Sequence, residues 1–215
     1  MPAALYWISG GIFAALFGYA AWSAPWQNFK RDPQRLHVFL GGCVALLVLW
    51  QMQAGLRPGL TYHLLGGTLF MLMFGWQLAF IGVSLVVLGS TLNGMGDFYS
   101  LPLNILIMAG VPVGLSYAIY RLATRFLPLN FFVYVLGNGF FCGALSMIAT
   151  IVTAAALLSL FGPYSLARVT DDYLPFAPLM AFAEAFFTGM LSASLVLFRP
   201  EWVATFDDRR YISGK

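Results

Sequence analysis

Polar residues interrupt this chain only at intervals. The apolar runs between them define seven predicted spans, at about 4–24, 36–54, 61–75, 77–92, 102–120, 130–160 and 175–198. A hydrocarbon core of about 30 Å takes roughly 20 helical residues, so most of these windows are one crossing long. The third and fourth are short and meet at "FGW" (74–76), which predicts a tight hairpin. The sixth is long enough to tilt or to extend past the membrane. The pattern predicts an all-α, polytopic membrane protein of seven transmembrane helices. It forms a single domain over 1–198, followed by a short polar tail over 199–215.

Composition agrees. Of 215 residues, 60% are hydrophobic and 9% charged, with mean hydropathy +0.82. Soluble domains carry about 25% charged residues, so this chain could not cover a water-facing surface. The lipid bilayer is its first partner, as a multi-pass protein of the inner (plasma) membrane. Net charge is +3 from scattered loop residues, which implies no nucleic-acid partner. The first basic residue is Lys30, so the start lacks the basic segment of a cleavable signal, and the first apolar run is expected to remain as a helix.

The positive residues also set orientation. With seven spans, Lys30, Arg31, Arg35, Arg121, Arg125, Arg199, Arg209, Arg210 and Lys215 share one side, and Arg57 and Arg168 the other. Positive loops stay cytoplasmic, which predicts an outside N-terminus and a cytoplasmic C-terminus. Fusing the third and fourth spans would weaken this asymmetry. Small residues recur at helix-contact spacing as Gly10, Ala14 and Gly18, as Gly110 and Gly114, and as Ala185, Gly189 and Ala193. Cys43 and Cys142 sit in apolar runs and read as packing residues.

The few polar side chains are the candidates for chemistry. His63 starts the third span on the outer side, Asn93 and Asp97 lie in the outer loop "TLNGMGDFYSLPLN", and Asn104 opens the fifth span. Glu184 is the one carboxyl group well inside a span, with Thr188 at i+4 on the same face. A charge at that depth is paired, protonated or turned to a cavity, so Glu184 either fixes bundle geometry or lines a pocket. His63 is either an imidazole satisfied by water or a carbonyl, or a metal ligand. His37 starts the second span on the inner side, about 27 Å away across a helix, so the two histidines cannot share a metal. The turn "NGMGD" explains Asn93 and Asp97 equally well without a ligand. Met71, Met73, Met95, Met108, Met147, Met180 and Met190 show no clustered spacing and read first as packing. There is no G-x-S-x-G, H-E-x-x-H or P-loop, so the chain reads as a non-enzyme, and any nucleotide-driven motor is a separate chain.

The run "GLTYHLLGGTLFMLMFGWQLAFIGVSLVVLGSTLNGMGDFYSLPLNILIMAGVPVGLSYAIYRL", together with "YLPFAPLMAFAEAFFTGM", resembles the CbiM/NikM family. Those proteins are the substrate-binding membrane subunits of cobalt and nickel energy-coupling factor transporters. The resemblance covers about half the chain, roughly 57–125 and 173–198. It implies a seven-helix bundle with its N-terminus outside, substrate bound at the outer face, and coupling-protein and ATPase partners. The family holds its metal with the N-terminal amine, the second residue's amide nitrogen and imidazole, and a later histidine. Here position 2 is Pro2, whose nitrogen has no hydrogen to lose, so of that set only His63 carries over.

The expected function is an uptake subunit for a transition-metal ion or metal chelate. His63 and Asp97 are its expected metal ligands, and Asn93, Asn104, Met108, Glu184 and Thr188 its pocket. The metal is substrate, with no permanently bound cofactor. The alternative is a non-transporting structural or assembly subunit of a larger membrane complex.

Overall fold

The computed structural model describes residues 2–57 and 60–211, with backbone alone at Leu56, Arg57 and Leu60. Lys215 and the side chain of Arg57, counted in the charge asymmetry above, lie outside the described residues.

The apolar runs fold as helices: α1 (Ala3–Ser23), α2 (Gln27–Arg31), α3 (Pro33–Trp50), α4 (Gly67–Phe74), α5 (Trp76–Leu92), α6 (Leu101–Phe126), α7 (Val133–Leu160), α8 (Leu166–Asp172), α9 (Ala177–Phe198) and α10 (Asp208–Tyr211). Two strands, β1 (Ala54–Arg57) and β2 (Leu60–Tyr62), pair as an antiparallel ribbon between α3 and α4. Five stretches are long and apolar enough to cross a membrane: Ala3–Arg31, Pro33–Trp50, Leu101–Phe126, Val133–Leu160 and Leu166–Phe198. Helix α5 is one residue shorter than that measure requires, and α4 has only eight residues.

Local chemistry sets these boundaries. Asp32 caps α3 by accepting the Gln34 N–H, and Pro33 occupies the first helical position, where its missing N–H costs nothing. Gly75, at φ +79°, ends α4 and turns the chain into α5, which produces the expected hairpin at "FGW". Helix α6 passes through a wider π turn at Leu106–Gly110, and α7 begins with a π stretch over Val133–Phe141.

The third predicted span, 61–75, is corrected by the structure. Its first half is not helix: Leu60–Tyr62 pairs with Ala54–Arg57, and helix begins only at Gly67, after Gly66 turns at φ +67°. The second span likewise ends at Trp50 rather than 54. Non-helical backbone within a membrane is tolerable only where protein covers it, and in this segment Tyr62, His63, Leu65 and Gly66 are buried. All of α4 except Met73 is buried. Its Thr68 hydroxyl lies 2.8 Å from that of Ser116 on α6 and 2.7 Å from that of Ser146 on α7, which ties three helices together.

Of the recurring small-residue sets, the one on α9 makes a close helix contact. A Cβ on Gly143 of α7 would meet Ala185 and Thr188 of α9 at 3.3 Å, and one on Gly189 of α9 would meet Phe140 at 3.2 Å. Only glycine permits that approach. By contrast, Gly10, Gly18 and Gly114 face open space, so their spacing marks no contact within this chain.

At the end of the bundle where α4 stops, the residues after Phe198 fold back onto it. Ala204 N–H donates to Met73 O (2.9 Å), and Thr205 donates to Leu72 O through both its N–H (3.2 Å) and its hydroxyl (2.7 Å). These bonds satisfy carbonyls that a helix terminus leaves orphaned. Phe206 and Tyr211 stack at 5.0 Å and pack edge-on against Tyr134, all three buried.

Candidate functional site

The opposite end of α4 holds the polar residues of interest. Glu184 of α9 is fully buried, and its two carboxyl oxygens each accept a backbone N–H at 2.8 Å, from Leu65 and from Gly66. Those amides belong to the non-helical segment that delivers the chain into α4, where no helical carbonyl can receive them. Glu184 therefore replaces the missing turn of helix and fixes "HLLG" in place. Thr188, one turn deeper and also fully buried, lies on the same face.

Two residues before Leu65, His63 is buried with 7% of its surface exposed. Its Nδ1 lies 3.1 Å from the Leu64 carbonyl, and its ring sits 4.3 Å from that of Trp50, at the end of α3. An Nδ1–H donated to a carbonyl leaves Nε2 with a free lone pair, the arrangement that metal-binding imidazoles commonly use.

His63 lines two cavities. One, of about 40 Å³, is walled by Trp50, Ser90, Thr91, Met95, Asn104 and Met108 among others. The other, of about 60 Å³, lies against Tyr62, Met108, Met147, Thr150 and Tyr173. A water requires ~10–15 Å³ on this measure, so either space admits a small ion with some of its hydration. Met108 lines both cavities and sits within the π turn of α6, the kind of widened turn found often at functional positions. The ribbon covers this end: Tyr62 stacks on Tyr173 at 4.5 Å and donates its hydroxyl to the Tyr173 carbonyl.

Of the seven residues expected at the site, His63, Asn104 and Met108 meet at one cavity. Glu184 does not line it, and acts on it through Leu65 and Gly66. Thr188 lies deeper, outside both cavities. Asp97 is exposed and folded onto its own turn, accepting the N–H groups of Tyr99 (2.8 Å) and Ser100 (3.0 Å) and the Ser100 hydroxyl (2.8 Å). The Ser100 hydroxyl, chiefly, holds its carboxyl below the ordinary carboxylate range. Asn93 is exposed and donates to Gln51 at 2.8 Å, on a separate open groove. His37 sits near the far end of α3 from Trp50, clear of His63 as expected.

The cavity also contains residues that sequence reasoning passed over. Met95 read as packing, and neither Trp50 nor Ser90 was among the candidates. The Trp50 Nε1 and the Ser90 hydroxyl are both buried without a hydrogen-bond partner. Among the described residues, no group of three or more His, Cys, Asp or Glu side chains could hold a metal ion.

Nothing among curated proteins matches the chain. Two solved structures share its fold. One, described as a transition metal transporter, superimposes with TM-score 0.72 over 91% of this chain and 89% of its own, at 20% identity. The other, described as a truncated transition metal transporter, gives TM-score 0.73 over 92% and 95%, again at 20% identity. The family model CbiM, described as the cobalt uptake substrate-specific transmembrane region, matches residues 1–202. This chain belongs to the CbiM family.

Proposed function

We propose that this chain, which its family identifies as a membrane component of a metal uptake transporter, takes a metal ion into the His63 chamber from the outer face. The observation that carries the reading is the buried imidazole lining two small cavities on a segment clamped by Glu184. His63 is the metal ligand, and Asn104 and Met108 shape the space around it. Glu184 positions the ligand-bearing segment. Asp97 holds the outer loop over the chamber, and Asn93 ties that loop to the end of α3. Seven membrane-embedded helices with a cytoplasmic C-terminus fit the alternation of the chain. They also place Lys30, Arg31, Arg35, Arg121, Arg125 and Arg199 together, at the end opposite the chamber. An inner-membrane location and coupling and ATPase subunits as partners follow from the same reading.

Equilibrium metal binding to the purified chain tests it, compared with His63→Ala and Glu184→Gln. Binding lost in His63→Ala and weakened in Glu184→Gln is the expected result. Unchanged binding in both removes the site.

A further inference from the structure

The donor set of the His63 chamber is unusual for a divalent ion. Its side chains offer one imidazole, two thioethers (Met95 and Met108), and otherwise neutral hydroxyl, amide and apolar groups. Among the described residues, no carboxylate lines either cavity. Glu184 has both oxygens engaged by Leu65 and Gly66, and Asp97 is folded onto its own turn. The cost of burying an ion rises as the square of its charge, so a doubly charged ion would be heavily penalised where no anionic ligand meets it. Thioethers, in turn, favour soft ions.

A second observation points to an occupant. Trp50 Nε1 and the Ser90 hydroxyl are buried without partners, with their residues 2% and 6% exposed, and both residues wall this same cavity. Unpaired buried donors are rare, and a water or halide arriving with a metal ion would satisfy them. The Trp50 ring beside His63 also offers an aromatic face of the kind that attracts cations.

Resting on the metal-binding reading above, we propose that the chamber selects a soft, singly charged metal ion of the copper(I) type. His63 and the thioethers of Met95 and Met108 are its ligands. The adjoining cavity, which shares His63 and Met108 and adds Met147, is a second thioether-lined position for the same ion.

Silver(I), a redox-stable stand-in, serves as the probe with the full chain in nanodiscs. Copper(I) is measured by competition with a chromophoric chelator, and nickel(II) and cobalt(II) in parallel. Silver(I) is expected to bind about 100-fold more tightly than nickel(II) or cobalt(II). Met95→Leu and Met108→Leu, which conserve volume, should each weaken it about tenfold, equivalent to ~1.4 kcal/mol, with melting unchanged. Met52→Leu removes an exposed thioether near the same end and should change nothing. Silver(I) affinity indifferent to Met95→Leu and Met108→Leu overturns the thioether assignment. So does nickel(II) or cobalt(II) binding that depends on His63 and exceeds silver(I) binding, and in that case the metal chamber itself still stands. No metal binding that depends on His63 overturns both readings together.

Discussion

The two ends of α4 solve the same problem in opposite ways. Both lie inside the protein, and both leave backbone groups that a longer helix would have paired. At one end the chain's last segment supplies Ala204 and Thr205 to the orphaned carbonyls, and Tyr134, Phe206 and Tyr211 fill the surrounding space. At the other, Glu184 receives two amides, but beyond them lie two cavities and two unpartnered donors. The first end keeps a cavity of about 20 Å³ beside Met73, Phe74 and Ala204, with the buried Trp202 Nε1 unpartnered among the described residues, whereas the other keeps two larger cavities around a histidine. That difference in open space is what the proposed binding chamber rests on.

The largest test of that contrast is Glu184→Ala, which leaves two buried amides unpaired at ~1–3 kcal/mol each. Unfolding in mixed micelles should show a loss of about 2–5 kcal/mol, and metal binding should fail as the His63 segment loosens. His63→Ala should instead cost binding far more than stability, with affinity falling about 100-fold, or ~2.7 kcal/mol. An equal loss in both would make His63 a packing residue. Thr205→Val is the mirror case. It removes the hydroxyl bond to Leu72 O and the 2.6 Å contact with Tyr134, for about 1–2 kcal/mol of stability, and should leave metal affinity untouched. A change in affinity there would show that the closed end is coupled to the open one.

The smallest effect belongs to Asp97→Asn, whose exposed turn should cost about 0.5 kcal/mol and leave binding at the chamber unchanged.

Hydropathy made most of the fold legible, because helices in lipid must be continuous apolar runs. It misread 61–75 for a reason that hydropathy cannot see. Leu60–Leu65 is apolar enough for helix but short enough for strand, and periodicity does not separate the two in so brief a run. Gly66 and Gly75 were the local clues to where helix begins and ends. At the site, burial of Glu184 followed from the rarity of intramembrane carboxyl groups. Its partners did not, because backbone amides leave no residue signature. His63, Asn104 and Met108 could be named from position in the topology. Met95, Trp50 and Ser90 could not, since a thioether, an indole and a hydroxyl look the same in sequence whether they pack or bind.

The clamps on α4 also bear on the order in which the protein can be built. The helix is about 12 Å long, too short to be recognised as a crossing by the insertion machinery, and the groups that hold it lie 118 to 133 residues further along the chain. While the ribosome is still translating α5 to α8, this segment has no partner for its amides or its carbonyls. It can settle between its neighbours only after α9 and the residues beyond it have emerged, so the proposed chamber is among the last parts of the molecule to take shape.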